Sequence, residues 1–159
     1  MFLWDVSTGQ KIRRFRGHDS AVNAVSFAAD DQVVITAGYD RAMKMWDCRS
    51  NSIDPIQSVV AWRDAVTSLT VAGHRITGGS VDGTLRTLDV RAGRVHVDDL
   101  GHPVLCVRRS RDDNCLLTGM LGRGGRPPST PSLSFSTPKT FFLSFFLFKS
   151  TLSKYALSE

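Results

Sequence analysis

Residues 36–47, Thr36-Ala37-Gly38-Tyr39-Asp40-Arg41-Ala42-Met43-Lys44-Met45-Trp46-Asp47, decide the fold. They read as the end of one β-strand, a tight turn carrying a carboxylate, and a second strand closing on Trp-Asp. The same signature recurs on either side. Trp4-Asp5 precedes Trp46-Asp47 by 42 residues, and Leu88-Asp89 follows it by 42. The turn aspartate keeps the step, since Asp40 recurs as Asp82, each six residues before the Trp or Leu of its unit. Two markers in one register define an internal repeat.

Between the markers lie short β-prone runs at 22–27, 32–36, 42–46 and 56–60, separated by Asp-Asp, Gly and Asp-Arg turn signals. The cycle restarts at 66–71, 74–77, 84–88 and 95–97. Four short strands per 42 residues, with no helical period between them, predict an all-β chain built of four-stranded antiparallel propeller blades. Counted this way, residues 1–121 hold the end of one blade, repeats at about 17–60 and 61–100, and the start of a third. That third unit opens with Gly101-His102, runs through 104–107 and 115–118, and shows Gly122 where a turn Asp is due. About three blades do not close a ring, so the expectation is a partial propeller, truncated at both ends, with residues 17–47 its best-ordered part.

Gly17-His18, Asp40 and Trp46-Asp47 resemble a WD repeat. The resemblance implies a hydrogen-bonded set of His18, Thr36, Asp40 and Trp46, with Gly17, Asp47, Asp82 and Asp89 shaping the repeat turns. The chemistry is self-consistent: a carboxylate accepts from an imidazole, the imidazole accepts from a hydroxyl, and the hydroxyl accepts from an indole N–H. The second unit keeps Asp82, but Gly78 stands at the hydroxyl position and Leu88 at the Trp position. Trp62-Arg63 occupies the expected place of Gly-His, so apolar packing should hold that blade.

The function implied by the resemblance is interaction without turnover: no enzyme, no cofactor, no small-molecule substrate. The phrases FLWDVSTGQ, FRGH, WDCRS and GSVDG are similar to a kinase-cascade organizer within that family. They imply a scaffold for the extracellular-signal-regulated kinase cascade, with links to hypoxia signalling and pre-mRNA splicing, in cytoplasm and nucleus. WD-x-R at Trp46-Asp47-Cys48-Arg49, and its counterpart Leu88-Asp89-Val90-Arg91, resemble a docking motif for a cullin-type ubiquitin-ligase adaptor, making Arg49 and Arg91 candidate contacts. A spliceosome structural component and a non-functional truncated product are the remaining alternatives.

Composition bounds these readings. At 159 residues, 42% hydrophobic and 22% charged, the chain is the size of about one domain and neither collagen-like nor wholly disordered. The net charge of +5 is not a nucleic-acid footprint: residues 1–121 hold 15 Lys/Arg against 14 Asp/Glu, and residues 122–159 hold 5 against 1. Arg13, Arg14 and Arg16, interleaved with Ile12 and Phe15, read as a solvated outer strand. Cys48, Cys106 and Cys115 are odd in number and lack metal spacing, so no metal and a reducing compartment are expected. The start lacks a basic, apolar leader, and the longest apolar run, 141–148, is interrupted by Ser144 and far short of the roughly 20 residues of a membrane helix. Residues 122–159 form a separate low-complexity segment, expected to be irregular. Phe, Ser, Leu and Pro make up 23 of the 33 residues from 127 to 159, a pattern that points to a frameshift or an unspliced pyrimidine tract, with a natural low-complexity tail as the alternative.

Overall fold

The computed structural model describes residues 1–122 and 140–142. Thirteen strands are present: β1 (Phe2–Trp4), β2 (Lys11–Arg14), β3 (Val22–Phe27), β4 (Val33–Gly38), β5 (Ala42–Asp47), β6 (Gln57–Val60), β7 (Val66–Ala72), β8 (Arg75–Ser80), β9 (Thr84–Asp89), β10 (Arg94–Asp99), β11 (Val104–Arg109), β12 (Leu116–Met120) and β13 (Thr140–Phe142). They form four sheets: β1-β2, β3-β4-β5-β6, β7-β8-β9-β10 and β11-β12-β13. Sequence order equals spatial order, and every pairing is antiparallel except β12 with β13. The described residues are therefore an open succession of propeller-like blades, two of them complete.

Each first strand opens with the same irregularity. The register slips between Val22 and Ala24, between Val66 and Ser68, and between Val104 and Cys106. A bulge at the start of a strand turns the chain and sharpens its twist. Here it marks equivalent positions in three sheets: Val22, Val66 and Val104. The first strands pack side by side, β3 on β7 and β7 on β11. Polar side chains stitch them, Asn23 Nδ2 donating to Val66 O at 2.9 Å and Thr67 Oγ1 to Val104 O at 2.7 Å.

The apolar cores lie between sheets. Ile35, Ala37, Met43 and Met45 of the second sheet meet Trp62, Val66, Leu69, Ile76 and Leu88 of the third. Leu85 of the third meets Val104, Val107 and Met120 of the fourth, with Leu100. Phe15 and Trp46, with ring centroids 5.5 Å apart, join the first sheet to the second.

In the segment expected to be irregular, Thr140–Phe142 instead forms β13, a β-branched and aromatic run that pairs with Leu116–Thr118. It lies in the third-strand place of its sheet but runs parallel where a third strand of a blade is antiparallel. The rest of the tail, and with it the reading of its origin, lies outside the described residues.

Candidate functional site

The turn after β4 carries Asp40, and the loop after β2 brings His18 over it. His18 Nδ1 donates to Asp40 Oδ2 at 2.6 Å, and the two side chains are 94% buried. That fixes the tautomer: Nε2 is the acceptor, 2.6 Å from the hydroxyl of Thr36. Trp46 Nε1 donates to the same hydroxyl oxygen at 2.8 Å. His18, Thr36, Asp40 and Trp46 are thus joined in one chain of hydrogen bonds spanning β4, β5 and the loop before β3. Gly17 approaches the Trp46 ring so closely that a Cβ there would lie 3.0 Å from Cη2. Lys44, unremarked in the sequence, donates to Gly17 O and lies 3.7 Å from Asp40 Oδ2.

Burial opposes the charge of Asp40, but the hydrogen bond from His18, with the N–H groups of Ala42 and Asp19, outweighs it. The carboxyl ends below its ordinary range. Asp82 repeats this balance, burial being overcome by the Thr84 hydroxyl and the N–H groups of Arg63 and Thr84. Arg86 sits 3.7 Å from Asp82, as Lys44 does from Asp40.

The second blade solves the missing tetrad sterically. Asp19 N–H donates to Asp40 Oδ2 and Arg63 N–H to Asp82 Oδ2, so Arg63 holds the place of Asp19 and Trp62 that of His18. The sequence alignment of Trp62-Arg63 with Gly-His is corrected by one residue. The Trp62 ring lies over Gly78, where a Cβ would come within 2.7 Å of Cζ2. A large indole fills the volume that imidazole and hydroxyl share in the preceding blade. In the fourth sheet, Thr118 takes the position of Thr36, because Val104 pairs with Met120 and Val107 with Thr118 as Val22 pairs with Gly38 and Val25 with Thr36. Its hydroxyl is buried and without a partner among the described residues, and His102 does not reach it.

The aspartates that end the third strands close turns. Asp5 Oδ1 accepts from Ser7 N–H, Asp47 Oδ1 from Arg49 N–H, and Asp89 Oδ1 from Arg91 and Ala92 N–H. Arg49 and Arg91 follow these turns with exposed side chains. Arg13 is not part of a solvated basic strip: its guanidinium donates to Asp47 O, Ser50 O and Asn51 Oδ1, tying the outer strand β2 to the loop after β5. Arg14 and Arg16 are exposed. Burial pushes the Cys48 thiol up despite Arg13 nearby, which opposes nucleophilic chemistry there. Among the described residues no group of three or more His, Cys, Asp or Glu could hold a metal ion, and no helix is long and apolar enough to cross a membrane.

This arrangement is one of display and internal support, as in the repeat-built β-propellers used for recognition. Residues 9–47 match the family model "WD domain, G-beta repeat", which supports the WD-repeat family, whose members are generally non-enzymatic scaffolds. That match begins before β2 and ends with β5, so the sequence repeat is offset from the sheet: it takes the outer strand of one blade and the first three of the next. Among curated proteins, the chain is similar to the WD repeat domain-containing protein 83 homolog of Dictyostelium discoideum, 28% identical over 146 residues. It is 43% identical over 74 residues to WD repeat domain-containing protein 83 of Rattus norvegicus, and 31% identical over 121 residues to autophagy-related protein 16 of Arabidopsis thaliana. These matches cover 74%, 46% and 74% of the chain but only 45%, 24% and 24% of the relatives' length. A solved chain titled "Structure of U3-55K" superposes with a TM-score of 0.65 at 20% identity, covering 74% of this chain and 36% of its own, and shows the fold alone.

Proposed function

We propose that this chain is part of a protein-interaction scaffold similar to mitogen-activated protein kinase organizer 1, gathering kinase-cascade components in cytoplasm and nucleus, with links to hypoxia signalling and splicing. The observation that carries the reading is the run of phrases FLWDVSTGQ, FRGH, WDCRS and GSVDG within residues 1–121, alongside 43% identity over 74 residues to a WD repeat domain-containing protein. The structure adds a chemical argument: its buried polar groups support blades, and its turns present exposed side chains to other proteins. Recognition without turnover, by loops on a rigid stack, is the chemistry such a framework supports. Affinity purification of the full chain from growth-factor-stimulated and resting cells tests this. Kinase-cascade proteins should be recovered, more from stimulated cells; recovery of neither kinase-cascade nor splicing proteins refutes it, and splicing proteins recovered regardless of stimulation would favour a structural splicing role.

A second reading rests on the repeated placement of Arg49 and Arg91 just beyond a third-strand turn. In it the chain docks as a substrate receptor on a ubiquitin-ligase adaptor. Arg49→Ala with Arg91→Ala should abolish adaptor capture while leaving other partners bound; unchanged capture removes the reading.

A further inference from the structure

β6 is the fourth strand of a complete blade, and among the described residues it pairs only with β5, so its other edge lies on the rim of the stack. A rim strand offers a row of backbone N–H and C=O groups, and soluble proteins guard such rows with charge, proline or a bulge. The fourth strands of the neighbouring sheets are guarded by charge: β2 is Lys-Ile-Arg-Arg, and β10 carries Arg94, Asp98 and Asp99. β6 lacks every such device. It reads Gln-Ser-Val-Val, its register with β5 is unbroken, and Pro55 stands outside the strand. No charged residue lies between Asp54 and Arg63.

We propose that this edge binds a second copy of the same chain, the two β6 strands pairing antiparallel about a two-fold axis that passes through Ser58.

The side chains of the strand fit that partner because they read the same in both directions. Ser58 lies opposite Lys44 and Val60 opposite Ala42, which puts Ile56, Ser58 and Val60 on one face and Gln57 and Val59 on the other. Antiparallel strands centred on Ser58 set each Ile56 against Val60 of the other copy, with the two serine hydroxyls facing between them. On the opposite face Gln57 meets Val59. A shift of one residue would set apolar against polar faces, so the pattern selects this register.

Exposure agrees with the pairing. Ile56 and Val60 are 62% and 70% exposed, whereas Val59, on the Met43 side, packs against the core between the second and third sheets. The apolar pair that the second copy covers is therefore the one that the fold leaves in water. Charge agrees at the ends of the run: Asp54 falls one position from Arg63 of the other copy, and both are exposed. The contact is isologous, so it closes at two copies and joins two four-stranded sheets into one. Such a pair carries every displayed turn twice, which multiplies the affinity for any partner that is itself repeated.

Sedimentation velocity of the full chain across a micromolar concentration series reads the association. A two-copy species is expected. Ile56→Glu and Val60→Lys each set a charge against an apolar side chain, and the two-fold axis counts each change twice, so each should weaken the dimer about tenfold. Both positions are exposed, and the circular-dichroism spectrum of each variant should be unchanged. The two substitutions in one chain should restore the dimer, because Glu at 56 then meets Lys at 60 of the other copy. Those positions lie four residues apart on one strand, too far to pair within a copy. A chain that stays monomeric, a dimer that neither single substitution weakens, or a double variant no stronger than the singles overturns the proposal.

Discussion

Thr36 and Thr118 occupy equivalent positions in two sheets, both fully buried, yet one hydroxyl is fully engaged and the other has no partner among the described residues. Replacing each with valine keeps the branched shape and removes only the hydroxyl. At Thr36 the change orphans two buried groups, the Trp46 indole N–H and the His18 Nε2 acceptor. Each orphan costs about 1–3 kcal/mol, and the added methyl returns about 1 kcal/mol, so Thr36→Val should destabilise by roughly 1–5 kcal/mol. At Thr118 no bond to a described residue is lost and an unsatisfied hydroxyl disappears, so Thr118→Val should stabilise the chain by about 1 kcal/mol. Urea unfolding followed by circular dichroism measures both. With a slope of about 2 kcal/mol per molar urea, the midpoints should move in opposite directions, by about 0.5–2.5 M downward and about 0.5 M upward. Equal shifts of the same sign would refute the reasoning, because burial of the hydroxyl, not its partners, would then govern the cost.

Arg41 sits at φ 60° where the next blade has Gly83 at φ 83°, so Arg41→Gly should stabilise by about 0.5–1 kcal/mol in thermal unfolding. Gly78→Ala pushes a methyl into the Trp62 ring and should cost about 1–3 kcal/mol, a loss that Trp62→Leu in the same chain partly relieves; a double-mutant cycle reads the coupling. The lowered pKa of Asp40 means that its ionised form stabilises the fold above the unfolded value near 3.9, and that this contribution disappears as pH falls through the lower folded value. Asp40→Asn should therefore be less stable at neutral pH and show a shallower loss of stability between about pH 5 and pH 2, followed by urea midpoints across that range. Arg13→Ala removes three acceptor contacts and should lower the midpoint for release of β1-β2, seen as earlier hydrogen exchange of Leu3 and Phe15 relative to β4.

The period of the chain and the hydroxyl-imidazole-carboxylate-indole set stand in the sequence because each depends on residue type at a fixed step. What stayed hidden depends on volume and on neighbours distant along the chain. Trp62 reads as a lost Gly-His, yet its ring compensates for the missing side chain of Gly78, a trade no local pattern announces. Lys44 has the look of a solvent-facing residue between Met43 and Met45, but it is 9% exposed because Gly17 O and Asp40 receive its ammonium. Arg13 reads as surface charge by alternation, and only the return of residues 47–51 over β2 turns it into a tie. The pairing of β13 with β12 depends on a tail whose composition says little beyond β propensity.

The offset between sequence repeat and sheet bears on how such chains change length over evolutionary time. A unit that starts with the outer strand of one blade and ends with the third strand of the next overlaps both neighbours, as roof tiles do. Duplicating or excising one such unit in a gene inserts or removes a whole blade while every interior sheet keeps four strands. Copy number is thereby free to drift by single steps, with no intermediate that exposes a raw edge inside the stack.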